Sequence, residues 1–147
     1  LPIEAIYASS SLRAIETVAL LAGRRRLVPV VVDDLREREL SATTAPDFES
    51  ALEASWRRPD IPATEGGESN AAARGRGIAA VRRIVMMHRG RHVVISTHGS
   101  LLALILNGFD RAFAYDFWHS LTFPDVYELT FNDSALAGVR RLWSDGR

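Results

Sequence analysis

The sequence predicts an α/β protein built in three layers, α/β/α, with helices on both faces of a mostly parallel sheet and an antiparallel strand at its edge. Three observations predict it. Short apolar runs alternate with stretches of helical spacing, the pattern of strands joined by crossover helices. Two strand runs pass directly into a Ser- or Gly-containing turn and then a helix. The last two strand runs are joined through a turn that begins at Asn132-Asp133-Ser134, as in a hairpin.

The elements follow in order. Ile3 to Ala8 reads as a strand, and Ser9-Ser10-Ser11 interrupts it with N-cap hydroxyls. Leu12, Ile15, Val18, Ala19 and Ala22 have helical spacing, closed by Gly23 and Arg24-Arg25-Arg26, cations that suit the negative end of the helix dipole. Leu27 to Val32 is nearly all β-branched and reads as a strand buried on both faces, although Pro29 removes a ladder hydrogen bond and suggests an edge or an irregular start. From Leu35 to Asn70 the pattern weakens. Phe48, Leu52 and Trp56 mark one amphipathic helix, and Pro59, Pro62, Gly66 and Gly67 a loop, so 35–70 reads as a lid around a site. Asn70 to His88 is helical, with Ile78, Val81, Ile84 and Val85 on one face. His92 to Ser96 is another buried strand, Leu101 to Leu106 opens a helix, and Val126–Phe131 and Val139–Trp143 complete the chain as strands. No linker divides the chain, so residues 1–147 read as a single domain.

Composition narrows the function. The 147 residues are 47% hydrophobic and 24% charged, ordinary for a globular chain. No apolar run reaches the roughly 18 residues of a membrane helix, so no membrane partner is expected. Eighteen basic and eighteen acidic side chains cancel, which argues against nucleic acid as a partner. There is no cysteine, hence no disulfide or thiolate chemistry. With no secretory leader pattern at Leu1-Pro2-Ile3-Glu4, the expected compartment is the cytoplasm.

Four segments carry residues suited to chemistry. His92-Val-Val-Ile-Ser-Thr-His98-Gly99-Ser100 is a strand, a turn and a helix start, and ligands of open α/β sheets collect at the carboxyl ends of strands. The first-turn N–H groups attract anions, His98 can handle a phosphate, and Gly99 lets the backbone approach it. A structural histidine capping the helix is the equal alternative. Ser9-Ser-Ser-Leu-Arg13 repeats the arrangement, with a cation in a first helical turn where it opposes the dipole. An anion held there would explain Arg13, and an exposed surface arginine is the plain alternative. Leu35-Arg36-Glu37-Arg38 follows a strand end, so Glu37 can reach the same rim as a general acid or simply form a charged loop. Gly66-Gly67-Glu68-Ser69 is a mobile turn with an N-cap before the helix at Asn70, and Glu68 reads equally as a first-turn acid.

The ordered series Ser-x-x-x-Arg-Ala-x-Glu-Thr, Leu-x-Glu-Arg, Gly-Gly-Glu-Ser and Thr-His-Gly resembles the histidine phosphatase superfamily, the cofactor-dependent phosphoglycerate mutase-like proteins, over nearly the whole chain. The resemblance implies a phosphoglycerate mutase-like fold and phosphoryl transfer through a phosphohistidine. It makes Arg13 the phosphate clamp, Glu37 the acid that protonates the leaving oxygen, and His98 the assisting histidine. Ser9, Thr97, Gly99 and Ser100 are the expected substrate contacts. It implies a small phosphorylated metabolite as partner, no cofactor and no metal. The modest lid points to a phosphatase rather than a mutase. Ser10 and Ser11 replace the usual Pro-Leu, and Ser41 stands where many members have glycine. The family's opening Arg-His-Gly, which carries the nucleophile, occurs nowhere in the sequence, because Arg91-His92 is followed by Val. The expectation is that this strand and its helix lie upstream, the chain being truncated or its gene start set too late, so that the 147 residues are inactive alone. If they stand by themselves, a homodimer covering the exposed strands is expected. The alternative function is a non-catalytic module that binds a phosphate ligand. An ester hydrolase is disfavoured by the lack of a Gly-x-Ser-x-Gly elbow.

Overall fold

A computed structural model describes residues 1–41 and 47–144. The 35–70 lid expectation therefore falls partly outside the described residues. Strand β1 (Ile3–Ala8) is followed by helix α1 (Leu12–Arg25), strand β2 (Val30–Val31) and a 3-10 turn at Asp33–Leu35. Helices α2 (Phe48–Arg57) and α3 (Asn70–Met87) precede strand β3 (His92–Ser96). Helices α4 (Gly99–Phe109) and α5 (Tyr115–Ser120) and strands β4 (Tyr127–Asn132) and β5 (Ala135–Arg141) complete the order.

The sheet is parallel, with strand order β2-β1-β3. The register pairs Ile6 with Val94, Tyr7 with Ile95 and Ala8 with Ser96, so the polar residues that follow β1 and β3 emerge side by side. Alternation along β1 divides the core in two. Ile6 and Ala8 pack with Val18 and Ala22 of α1. Tyr7 faces the other way, into a cluster with Ala80, Val81 and Ile84 of α3 and Leu101, Leu104 and Ile105 of α4. The three-layer α/β/α reading rests on this division. Gly77 permits close α3–α4 contact: a Cβ there would lie 2.8 Å from Ile105 Cγ1.

The antiparallel pair forms a two-stranded ladder of its own rather than extending the parallel sheet. Phe131 anchors it on α4 through an edge-to-face contact with Phe109.

Several local expectations are corrected. The Leu27–Val32 strand shrinks to two residues and is not buried on both faces: Val30 and Val31 are 49% and 52% exposed. It is the sheet's edge, paired with β1 alone, and Pro29 has no N–H for a longer ladder. Strand β3 is half-buried over Val93–Ile95, since it too has a strand neighbour on one side only. Helix α1 runs through Gly23, and Arg26 ends it in the left-handed conformation at φ 54°. Leu27 N–H then reaches back to the Ala22 carbonyl, which satisfies the helix end without glycine. No described helix is long and apolar enough to cross a membrane.

Candidate functional site

The carboxyl ends of β1 and β3 place Ser9 and His98 together. His98 Nε2 lies 2.8 Å from Ser9 Oγ, and Arg13 Nη2 donates to His98 Nδ1 at 3.3 Å. An arginine has no acceptor, so Nδ1 must carry the lone pair, and the neutral ring bears its proton on Nε2 and donates to Ser9. Burial lowers the His98 pKa from its usual value, and Arg13 and Arg76 push the same way against Glu37. Ser9 Oγ also accepts from the Ser11 N–H. Ser9 is fully buried and His98 is 9% exposed, while Arg13 lies on the surface above them.

The alternative of His98 as a capping side chain is not what the structure shows. Its imidazole makes no hydrogen bond to the α4 backbone. The cap is Glu37, from the segment after the 3-10 turn. Its carboxylate accepts the N–H groups of Ser100 at 3.0 Å, Leu101 at 2.8 Å and Arg38 at 2.8 Å. A carboxylate at a helix N-terminus is favoured by dipole and hydrogen bonds alike. Glu37 is thus seated on the end of α4 itself.

The remaining predicted residues frame this centre. Thr97 donates its hydroxyl proton to the Leu35 carbonyl at 2.7 Å, tying the end of β3 to the segment that carries Glu37. Ser100 Oγ accepts from Trp118 Nε1 at 2.9 Å. Gly99 lies close under the exposed Phe123 ring, which a Cβ there would push aside from 2.7 Å. The serine hydroxyl expected to cap α1 does not: Ser11 sits at the N-cap without a side-chain bond. Ser10 instead donates to Asp33. His119 is exposed, with its ring against Tyr115 at 5.7 Å.

Sequence reasoning missed the group that holds Glu37 in place. Arg76, on α3, donates to the carbonyls of Asp34, Arg36 and Glu37 at 2.8, 2.7 and 3.1 Å. Its guanidinium also pairs with Glu68 at 2.7 Å, and both side chains are largely buried. That hydrogen bond is the main reason the Glu68 pKa lies below the usual carboxylate range. Glu68 is therefore more than a first-turn acid. The available signal was Arg76 between Gly75 and Gly77, beside the buried stripe of α3. Arg38 is buried as well and bonds the Asn70 side chain, linking the same segment to the start of α3.

The arrangement offers donors to an oxyanion from the guanidinium of Arg13, the His98 ring and the start of α1. The N–H groups of Leu12 and Arg13 have no acceptor among the described residues.

Comparison with known proteins shows the family. The family described as histidine phosphatase superfamily (branch 1) matches residues 1–140. Phosphoglycerate mutase-like protein 4 of Arabidopsis thaliana is 31% identical over 106 residues, covering 66% of this chain and 46% of that protein. Metal-independent phosphoserine phosphatase of the same plant is 32% identical over 113 residues, 69% of this chain and 46% of that protein. The chain thus spans about half the length of these relatives. Among solved structures, Bacillus stearothermophilus YhfR is similar with a TM-score of 0.71 and 28% identity, covering 91% of this chain and 71% of that one.

Proposed function

The chain belongs to the histidine phosphatase superfamily (branch 1), and from that premise we propose that it is the phosphate-holding part of a phosphomonoesterase acting on a small phosphorylated metabolite. The observation that carries this reading is the convergence of Arg13, His98, Ser9 and the α1 amides at the ends of β1 and β3. Arg13 clamps the phosphoryl oxygens. His98, neutral with its proton on Nε2, turns from Ser9 to donate to the same group, and Ser9 lines the pocket floor. Gly99, Thr97 and Ser100 shape the wall, and residues 35–70 form the lid that selects the substrate.

In the reaction a histidine nitrogen attacks phosphorus, the ester P–O bond breaks, and Glu37 hands a proton to the leaving oxygen. Water then hydrolyses the phosphohistidine. This reading assigns the attacking histidine to a strand outside the 147 residues, from the same chain or a partner subunit, that pairs with the free edge of β3. Two features favour that place: β3 has one strand neighbour among the described residues, and β4–β5 stand apart from it.

Two measurements test the proposal. Calorimetry on the 147 residues should show phosphate or vanadate binding that weakens about tenfold or more in His98→Ala, the loss expected for a charge-assisted donor. Supplied with the upstream strand and its Arg-His-Gly, the protein should hydrolyse p-nitrophenyl phosphate and lose that activity on the same substitution. Activity indifferent to His98 would sink the reading. One alternative rests on the same residues, Arg13, His98 and the α1 amides: a module that binds a phosphate ligand without turnover. Binding with no hydrolysis in the extended protein would establish that alternative.

A further inference from the structure

A second cationic centre lies away from His98, in a cavity of about 200 Å³ between α2, α3 and α4. Trp56, Asn70, Arg74, Leu104, Asn107 and Arg111 line it. Leu104 and Asn107 lie four and seven residues past Ser100 on α4, about 6 and about 10 Å along its axis. Arg74 and Arg111 converge on one neutral atom: both donate to Asn107 Oδ1, at 2.8 and 3.2 Å. Neither has a carboxylate within ion-pair distance among the described residues. Burial, and then the Arg111 charge, lower the Arg74 pKa, with Asp60 opposing from farther off. Asn107 is itself held by donating its amide to the Phe113 carbonyl, so the acceptor is fixed. On the cavity wall, Trp56 has its indole Nε1 buried with no hydrogen-bond partner among the described residues.

Two like charges drawn to one amide oxygen, beside an unused N–H, form an arrangement that an anion would complete. Each guanidinium offers a planar fork matched to two oxygens. We propose that this cavity is a second oxyanion site, in which Arg74 and Arg111 clasp the carboxylate or phosphate group of a small ligand. The indole N–H of Trp56 supplies a third donor. Trp56 also lies 6.4 Å from the ring of Trp118, whose Nε1 donates to Ser100, so occupation of the cavity would touch the wall of the first site.

The test is calorimetry at constant ionic strength with sodium phosphate and, separately, sodium malonate. The proteins compared are the 147-residue wild type, Arg74→Gln, Arg111→Gln and His98→Ala, each checked for an unchanged thermal midpoint. Arg111 is exposed, so its substitution leaves the core intact. The expected result is a binding component that persists in His98→Ala and weakens about tenfold or more in each arginine variant. Whichever probe shows the stronger component names the ligand class. The proposal is overturned if no component persists in His98→Ala, or if one persists but is indifferent to both arginine substitutions. Should the His98 reading fail instead, the arginine-dependent component would still appear, so the two failures are distinguishable.

Discussion

Helices α1 and α4 leave the ends of neighbouring parallel strands, yet their first turns are completed in opposite ways. The start of α4 is closed by the Glu37 carboxylate, which takes the Ser100 and Leu101 N–H groups. The start of α1 keeps the Leu12 and Arg13 N–H groups without an acceptor among the described residues and adds a guanidinium beside them. Both positive helix ends attract anions. One holds an anion built into the protein, and the other is left for an anion from outside. The difference shows how one fold supplies the anion at one helix start from its own chain and leaves the other start to a ligand.

The largest expected effect comes from the group that holds the built-in anion. Arg76→Ala would leave the buried Glu68 charge with only its 4.0 Å ionic contact to Arg36 among the described residues and free three carbonyls, at a cost of about 3 kcal/mol in a urea titration. Its signature is loss of exchange protection at the Ser100 and Leu101 amides, and unchanged protection there would break the proposed link between Arg76 and Glu37. Glu37→Ala is the next largest, about 1–3 kcal/mol, because it strands buried N–H groups. In the wild type the comparison sharpens further on adding phosphate. The Leu12 and Arg13 amides should slow in hydrogen exchange, and those of Ser100 and Leu101 should stay as they were.

The pH dependence is a smaller effect. His98 binds a proton less readily folded than unfolded, so its contribution is fully present above its ordinary pKa of 6.5 and is lost as pH falls below that toward the lowered folded value. The urea midpoint of the wild type should fall between about pH 7 and about pH 5.5 more than that of His98→Gln. Equal slopes would remove the argument that burial keeps the ring neutral. The smallest effect is Ser11→Ala at the start of α1, expected below about 0.5 kcal/mol, since the hydroxyl caps nothing. A cost near the 1 kcal/mol or so of an ordinary cap would mean that α1 is closed after all.

Much of this was legible in the sequence. The His92–Ser96 strand and the Asn70 helix start carry strong local signals, a β-branched run and a Ser69 cap that accepts the Ala72 N–H. Ser9, Arg13 and His98 could be grouped because each follows a strand end, and parallel strands bring such ends together. Helix α5 was not foreseen. Its six residues hold by ring contacts such as Phe117 on Tyr127 rather than by an apolar stripe. Arg76 was illegible for another reason: its partners are backbone carbonyls, which have no residue identity to read.

The Ser9–His98 contact joins residues 89 apart and the Arg13–His98 contact residues 85 apart. A chain with its helices formed but β1 and β3 not yet paired does not bring Ser9, Arg13 and His98 together. Closing a loop of that length is entropically slow to reward, as for any contact between distant segments. Phosphate held at this site therefore binds the paired strands and not the unpaired chain, and its concentration should act as a direct handle on the population of molecules in which β1 and β3 are joined.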